Sequence, residues 1–146
     1  MIRLANKIDL PVLVEMMRGY ASESPMPLLA DPANHDEQHI CDLLISLIAG
    51  RGFVLLDDKN RGMLAAIVVQ NVWCPAVLEL KELAWWVEPE HRNGSVGGRL
   101  FIKFNEIADA YLQSNRVQSV AMSLLESSKV KNLPGYKKIE ATFLRM

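Results

Sequence analysis

The seven residues Arg92 to Gly98, RNGSVGG, constrain this chain more than any other feature. They follow an apolar extended run, LELKELAWWV, that ends at Val87. They lead into a segment from Gly97 in which Leu100, Phe104, Ile107, Ala108 and Tyr111 form one apolar stripe at helical spacing, with Lys103, Glu106 and Asp109 outside it. The order is therefore strand, glycine-rich turn, amphipathic helix. Glycines let a backbone turn sharply and come close to a ligand. The first N–H groups of a helix have no intrahelical acceptor, and the helix dipole favours negative charge beside them. With Arg92 and Arg99 flanking the turn, the segment from Val87 to Leu100 suits a diphosphate. The plainer reading is a glycine-rich start to a helix that binds nothing. The strand before, the helix after and the arginine at the start favour the diphosphate. No G-x-x-x-x-G-K-[ST] occurs, and no G-x-G-x-x-G opens the first strand–helix unit, so nucleoside triphosphates and dinucleotides fit less well.

The remaining sequence reads as one domain, residues 1–146, with no repeat, low-complexity tract or long linker. Ile2 to Ala5 is a short opening strand. Asp9 with Pro11 marks a helix start, followed by Leu10, Leu13, Val14 and Met17 at helical spacing, and Gly19 is placed to stop it. Tyr20 to His35 carries three of the seven prolines and reads as a long loop. A second helix presents Ile40, Leu43, Leu44, Leu47 and Ile48 and ends at Gly50 and Gly52. Phe53 to Leu56 and Met63 to Val72 are strands joined by the turn Asp57–Gly62. Val77 to Val87 is a third long strand. After the glycine-rich helix come a strand at Ser119 to Leu124, a turn or two of helix within Glu126 to Asn132, and a closing strand from Tyr136 to Arg145. This is a mixed α/β layout with one sheet and flanking helices.

Composition narrows the function. The formal net charge is −1 with 23% charged residues, so bulk charge does not drive binding to nucleic acid. No apolar run reaches membrane-spanning length and the N-terminus has no long apolar core, so the expected compartment is the cytoplasm. Cys41 and Cys74 have no metal-ligand spacing, and His35 and His39 lack a nearby third ligand, so no metal is expected.

The segment resembles motif A of the GCN5-related N-acetyltransferases, Arg/Gln-x-x-Gly-x-Gly/Ala after V-x-P, with Val87, Pro89, Arg92 and Gly97 in register. The run E-L-x-W-W-V-x-P-x-H-R from Glu82 to Arg92, followed by Gly135-Tyr136 and Glu140-x-x-Phe143, is similar to short phage and prophage members of that family. The resemblance implies a GNAT-like fold: one mixed, mostly antiparallel sheet of six to seven strands with about four helices. It implies acetyl-CoA (coenzyme A) as cofactor. It assigns the cofactor groove to Trp85, Trp86, Val87, Arg92, Asn93, Gly94, Ser95, Val96, Gly97 and Gly98. Ser95 replaces the first motif glycine. Serine suits a negative-φ turn, can donate to a phosphate, and would be strained at positive φ. Trp85 and Trp86 should point to opposite sides of their strand, so at least one is a core residue.

Acetyl transfer to an amine needs a group that accepts the amine's proton. The resemblance places a glutamate on the strand before motif A. Glu82 is the first candidate and Glu79 the second, on opposite faces of a regular strand. The plainer reading of Glu82 is a carboxylate solvated or paired with Lys81. The family's usual tyrosine acid lies four residues before Gly135-Tyr136, where this chain has Lys131. Lys131 is a candidate for stabilising the departing thiolate, with Ser127, Ser128 and Tyr136 as substitutes. Glu23, Asp31, Asp36 and Glu37 give the first long loop an acidic rim suited to a cationic amine, or simply a polar one. The expected activity is transfer of an acetyl group from acetyl-CoA to a primary amine, on a small molecule or a protein, by direct attack. The alternative is a weak or inactive GNAT-fold coenzyme A-binding or interaction protein of phage or prophage origin. Nucleic-acid and membrane partners are not expected, and the apolar last strand, KIEATFLRM, leaves room for a homodimer.

Overall fold

A computed structural model describes residues 1–146. The elements run β1 (Ile2–Leu4), α1 (Leu10–Ser22), α2 (Pro27–Ala30), α3 (Glu37–Ser46), β2 (Gly52–Asp57), β3 (Gly62–Gln70), β4 (Leu78–Val87), α4 (Val96–Gln113) and β5 (Ser119–Ala121). They build one sheet of five strands in the order β1-β2-β3-β4-β5. The first three pairings are antiparallel. The last, β4 with β5, is parallel and uses α4 as its crossover.

Strand alternation sorts the core into two layers. Val54, Leu56, Met63, Ala65, Ile67 and Trp86 pack with Leu13 and Met16 of α1 and with Leu44 and Leu47. On the other face Phe53, Leu55, Leu64, Ala66 and Leu80 pack with Leu100, Phe104 and Ala108 of α4. Both faces of the central strands are covered, which is why all six residues of β2 are buried. β4 breaks the alternation once. Ala65 pairs with Ala84 and Ala66 with Glu82, so Leu83 is the extra residue of a bulge. The bulge reverses parity: Leu78 and Leu80 lie on the α4 side before it, Trp85 and Val87 lie there after it, and Trp86 turns to α1.

Two local structures differ from the sequence expectation at α1. The cap is Asn6, which accepts from the Ile8 amide at 2.9 Å while Asp9 accepts from the Asn6 amide at 2.8 Å. Asp9 also binds Arg3 at 2.8 Å, and so is drawn away from capping α1. Gly19 does not stop the helix, which continues to Ser22. Its role is close approach: a Cβ there would lie 2.8 Å from Cζ2 of Trp86. The segment expected as one loop therefore contains the last turn of α1, all of α2 and a 3₁₀ turn at Pro32–Asn34.

The sheet has five strands rather than six to seven. β5 ends at Ala121, short of the expected Leu124, and residues 126–132 form only turns. Tyr136 to Arg145 forms no strand. Its apolar residues face outward, with Ile139 82% and Phe143 92% exposed. An alternating sequence makes a strand only where a neighbour offers a ladder, and β5 is three residues long and already paired along its inner edge.

Gly19→Ala tests the packing of Trp86 on α1. Alanine in mid-helix alone would stabilise by about 1 kcal/mol. Here the 2.8 Å contact forces the indole to shift, and overpacking of this kind costs about 1–3 kcal/mol. Thermal denaturation is expected to show a lower Tm than wild type; an unchanged or raised Tm would contradict the packing.

Candidate active site

The site begins where β4 loses a neighbour. β3 pairs with β4 along its whole length, from Gln70–Leu78 to Gly62–Val87. β5 pairs with it only at Glu79, Leu80 and Lys81. From Glu82 onward that edge of β4 faces a cavity of about 720 Å³. β4 contributes Glu82, Trp85, Trp86 and Val87 to its wall, and α4 contributes Gly97, Gly98 and Phe101. Tyr20 and Glu23 close it from α1, and residues of the 123–134 segment close the far side.

The glycine-rich turn forms one end. A 3₁₀ turn at Pro89–His91 follows β4, and α4 begins at Val96, whose side chain is buried. Ser95 caps the helix at φ −97°, ψ 0°, so serine is unstrained there and a glycine is not needed. Its side chain makes no capping hydrogen bond. The amides of Asn93, Ser95, Val96, Gly97 and Gly98 donate to no backbone carbonyl; the first such bond in α4 runs from Arg99 to the Ser95 carbonyl. Free amides at the positive end of an 18-residue helix make an anion cradle. A Cβ at Gly98 would meet nothing within 4 Å, so space for a ligand lies beside it.

Arg92 stands in the cavity wall but its charge is engaged. Its Nη1 and Nη2 donate to Glu23 at 2.9 and 2.5 Å, and its Nε donates to the Val87 carbonyl at 2.9 Å. Its guanidinium lies 4.6 Å from the centre of the Trp86 ring. The Glu23 hydrogen bond raises the arginine's pKa further. Arg92 thus ties the C-terminal end of α1 to the turn, and the backbone amides are the free anion donors.

Glu82 is the most perturbed carboxyl of the site. Only 6% of it is exposed, and burial pushes its pKa up to about 7 against a single opposing hydrogen bond from the Ser123 amide at 3.3 Å. Its Oε2 has no partner. Glu79 lies apart: it accepts from Asn71 at 3.0 Å and does not line the cavity. Lys131 is also outside the lining, with its ammonium on the Glu126 carbonyl at 2.8 Å, whereas Lys129, Ser127 and Ser128 belong to it. Tyr136 donates to Asn105 at 2.7 Å, beneath Phe101, and burial pushes its pKa up to about 12. Trp85 and Trp86 both reach the cavity, Trp85 stacked on Phe101 at 5.7 Å between centroids.

Tyr20 is the site residue that sequence reasoning missed. It lines the cavity, and burial together with the Glu82 charge raises its pKa to about 12. The signal was present: Leu13, Met16 and Tyr20 continue the helical spacing of α1 past Gly19. No cluster of three or more His, Cys, Asp or Glu side chains has metal-holding geometry, and no helix is long and apolar enough to cross a membrane.

No protein-family model and no curated protein matches the chain by sequence. Solved structures match its fold. A possible acetyltransferase from Clostridium difficile 630 superposes with a TM-score of 0.63 at 14% identity, over 96% of this chain and 98% of the other. A GCN5-related N-acetyltransferase from Ralstonia eutropha JMP134 gives 0.63 at 15% identity, over 94% and 96%. A predicted acetyltransferase from Clostridium acetobutylicum, solved with acetyl-CoA, gives 0.59 at 10% identity, over 96% and 95%. At these identities the shared property is the fold, and it extends over nearly the whole of each chain.

The raised pKa of Glu82 is also a stability statement. A carboxyl that titrates near 7 in the fold and near 4.5 when unfolded contributes fully below pH 4.5. That contribution is lost as pH rises through 7, and amounts to something on the order of 3 kcal/mol. Glu82→Gln removes the penalty. Its Tm is expected to match wild type near pH 4 and exceed it by about 5 °C or more at pH 8. An equal offset at both pH values would show that folding does not raise the pKa of Glu82.

Proposed function

We propose that this protein is an N-acetyltransferase that moves the acetyl group of acetyl-CoA directly to a primary amine. The observation that carries the reading is Glu82, a buried carboxyl with a pKa of about 7 and an unpaired oxygen, at the point where β4 parts from β5. A general base works best with a pKa near the operating pH.

The residues present fit coenzyme A on two counts. The amides of Asn93 and Ser95 to Gly98 are free to hold a diphosphate. The unpaired edge of β4 from Glu82 to Val87 offers backbone groups to an extended amide-bearing arm. Bound acetyl-CoA would supply the thioester whose acetyl carbon forms a bond to the amine nitrogen as the carbon–sulfur bond breaks and the thiol is released. Glu82 accepts the proton that the amine loses. Trp85 and Phe101 shield the groove beside the turn from water. Arg92 and Glu23 hold α1, and with it Tyr20, against the turn. The likeness to acetyltransferase structures over 94–96% of the chain supports the reading. The cytoplasm, where acetyl-CoA is available, is the proposed compartment.

A thiol-release assay over a panel of amines, with acetyl-CoA, is the test. The expected result is turnover whose kcat/KM rises with pH to a plateau through about 7, since the base must be ionised. Glu82→Gln should lower kcat by about 10²–10⁴-fold and abolish that rise. Coenzyme A that raises Tm without any turnover across the panel would favour a binding protein instead. Turnover that survives Glu82→Gln with its pH profile intact would remove Glu82 from the mechanism.

A further inference from the structure

Three polar atoms on residues that line the cavity have no protein partner. Glu82 Oε2 and Trp86 Nε1 are buried without a hydrogen bond, in residues 6% and 7% exposed. The hydroxyl of Tyr20 engages no other side chain, and its nearest charge is Glu82. All three residues line the same cavity. A buried donor or acceptor left unpaired is costly, and folded proteins hold few of them. Two such atoms, with the partnerless hydroxyl of Tyr20 at the same cavity, define a complementary ligand.

Their chemical senses differ. The ionised carboxylate of Glu82 only accepts, the indole of Trp86 only donates, and the hydroxyl of Tyr20, protonated at neutral pH, is available to donate. The two donors are also set apart from the anion cradle. Trp86 packs in the α1 and α3 layer, with Tyr20 against the same layer, whereas Trp85, Val87 and the start of α4 belong to the opposite layer. The bulge at Leu83 produces this division by turning Trp86 toward α1. The cradle end suits an anion, while the two donors belong to the α1 layer and the acceptor, Glu82, sits on β4 opposite Ala66.

We infer that the α1 end is an acceptor subsite for an amine that bears a carbonyl or hydroxyl oxygen on the neighbouring carbon. Its nitrogen faces Glu82, and its oxygen takes hydrogen bonds from Trp86 Nε1 and Tyr20. This assignment rests on the acetyltransferase reading for the reaction but not for the binding. A plain alkyl amine satisfies Glu82, leaves Trp86 Nε1 buried and unpaired, and gives the Tyr20 hydroxyl no partner. Sites built to hydrogen-bond an oxygen reject analogues that lack it far more strongly than apolar pockets reject a missing methylene.

The test uses three matched amines: alaninamide, which carries a carbonyl; alaninol, which carries a hydroxyl; and isopropylamine, which carries neither. Each is titrated into the full chain saturated with coenzyme A, and into the chain alone, while the indole N–H resonances are followed by NMR. The chain has three tryptophans, and Trp86→Phe assigns the relevant signal. The expected result is that alaninamide or alaninol binds at least tenfold more tightly than isopropylamine and moves the Trp86 resonance downfield. Isopropylamine should leave that resonance in place. In Trp86→Phe and in Tyr20→Phe the tenfold ratio should fall below threefold. Tyr20→Phe keeps its ring packing and carries the test if Trp86→Phe does not fold. A lead for alaninamide points to peptide-like acceptors and a lead for alaninol to amino alcohols or amino sugars; both uphold the subsite. Equal binding of the three amines, or a ratio that survives both substitutions, overturns it. A selective Trp86 shift without acetyl transfer would remove the proposed reaction and leave the subsite standing. Transfer without selectivity would do the reverse.

Discussion

β4 keeps both neighbours only as far as Lys81, and the site follows from that loss of pairing. A strand in mid-sheet normally satisfies its backbone on both edges. Here the edge from Glu82 to Val87 has no ladder to join, and a cavity of about 720 Å³ fills the gap. The bulge at Leu83 acts at the same place. It changes which face each later side chain meets, so that Trp85 stacks beneath the glycine-rich turn while Trp86 packs on Gly19 of α1. The cavity and the two faces of its wall depend on this one interruption of a ladder.

Electrostatics then divides the labour. The turn presents uncharged backbone donors at the positive end of α4, and its arginine is already bound to Glu23. Glu82 lies deeper, where burial outweighs its one amide hydrogen bond and lifts its pKa to about 7. The two carboxylates therefore serve different ends. Glu23, half-exposed, pairs with the Arg92 guanidinium and fastens α1 to the turn. Glu82, buried without a cation, is poised between its two protonation states. Asp57 offers a third contrast. Fully buried but bonded to Arg61 at 2.7 and 2.9 Å, its pKa is held down to about 2, and it fastens the β2–β3 turn.

Much of this was legible in the sequence because it depends on local pattern. The strand–turn–helix unit around Arg92 to Gly98, the stripe Leu100–Tyr111 and the hairpin at Asp57–Gly62 each follow from residue spacing. What was not legible depends on contacts between distant segments. Gly19 looks like a helix stop until Trp86, 67 positions later, is seen against it. Tyr136 to Arg145 alternates like a strand, yet β5 is too short to offer it a partner. Arg92 reads as a phosphate ligand, yet Glu23 meets it across 69 positions of sequence. Tyr20 became visible as a site residue only once α1 ran past Gly19 to bring it over Glu82.

Burial at the β4–β5 fork raises the Glu82 carboxyl to a pKa of about 7, and its own titration measures this. With glutamate side chains labelled with ¹³C, the Glu82 carboxyl resonance can be followed with pH and assigned by its loss in Glu82→Gln. A midpoint at about 7 is expected. A midpoint below 5, in the ordinary carboxylate range, would contradict it.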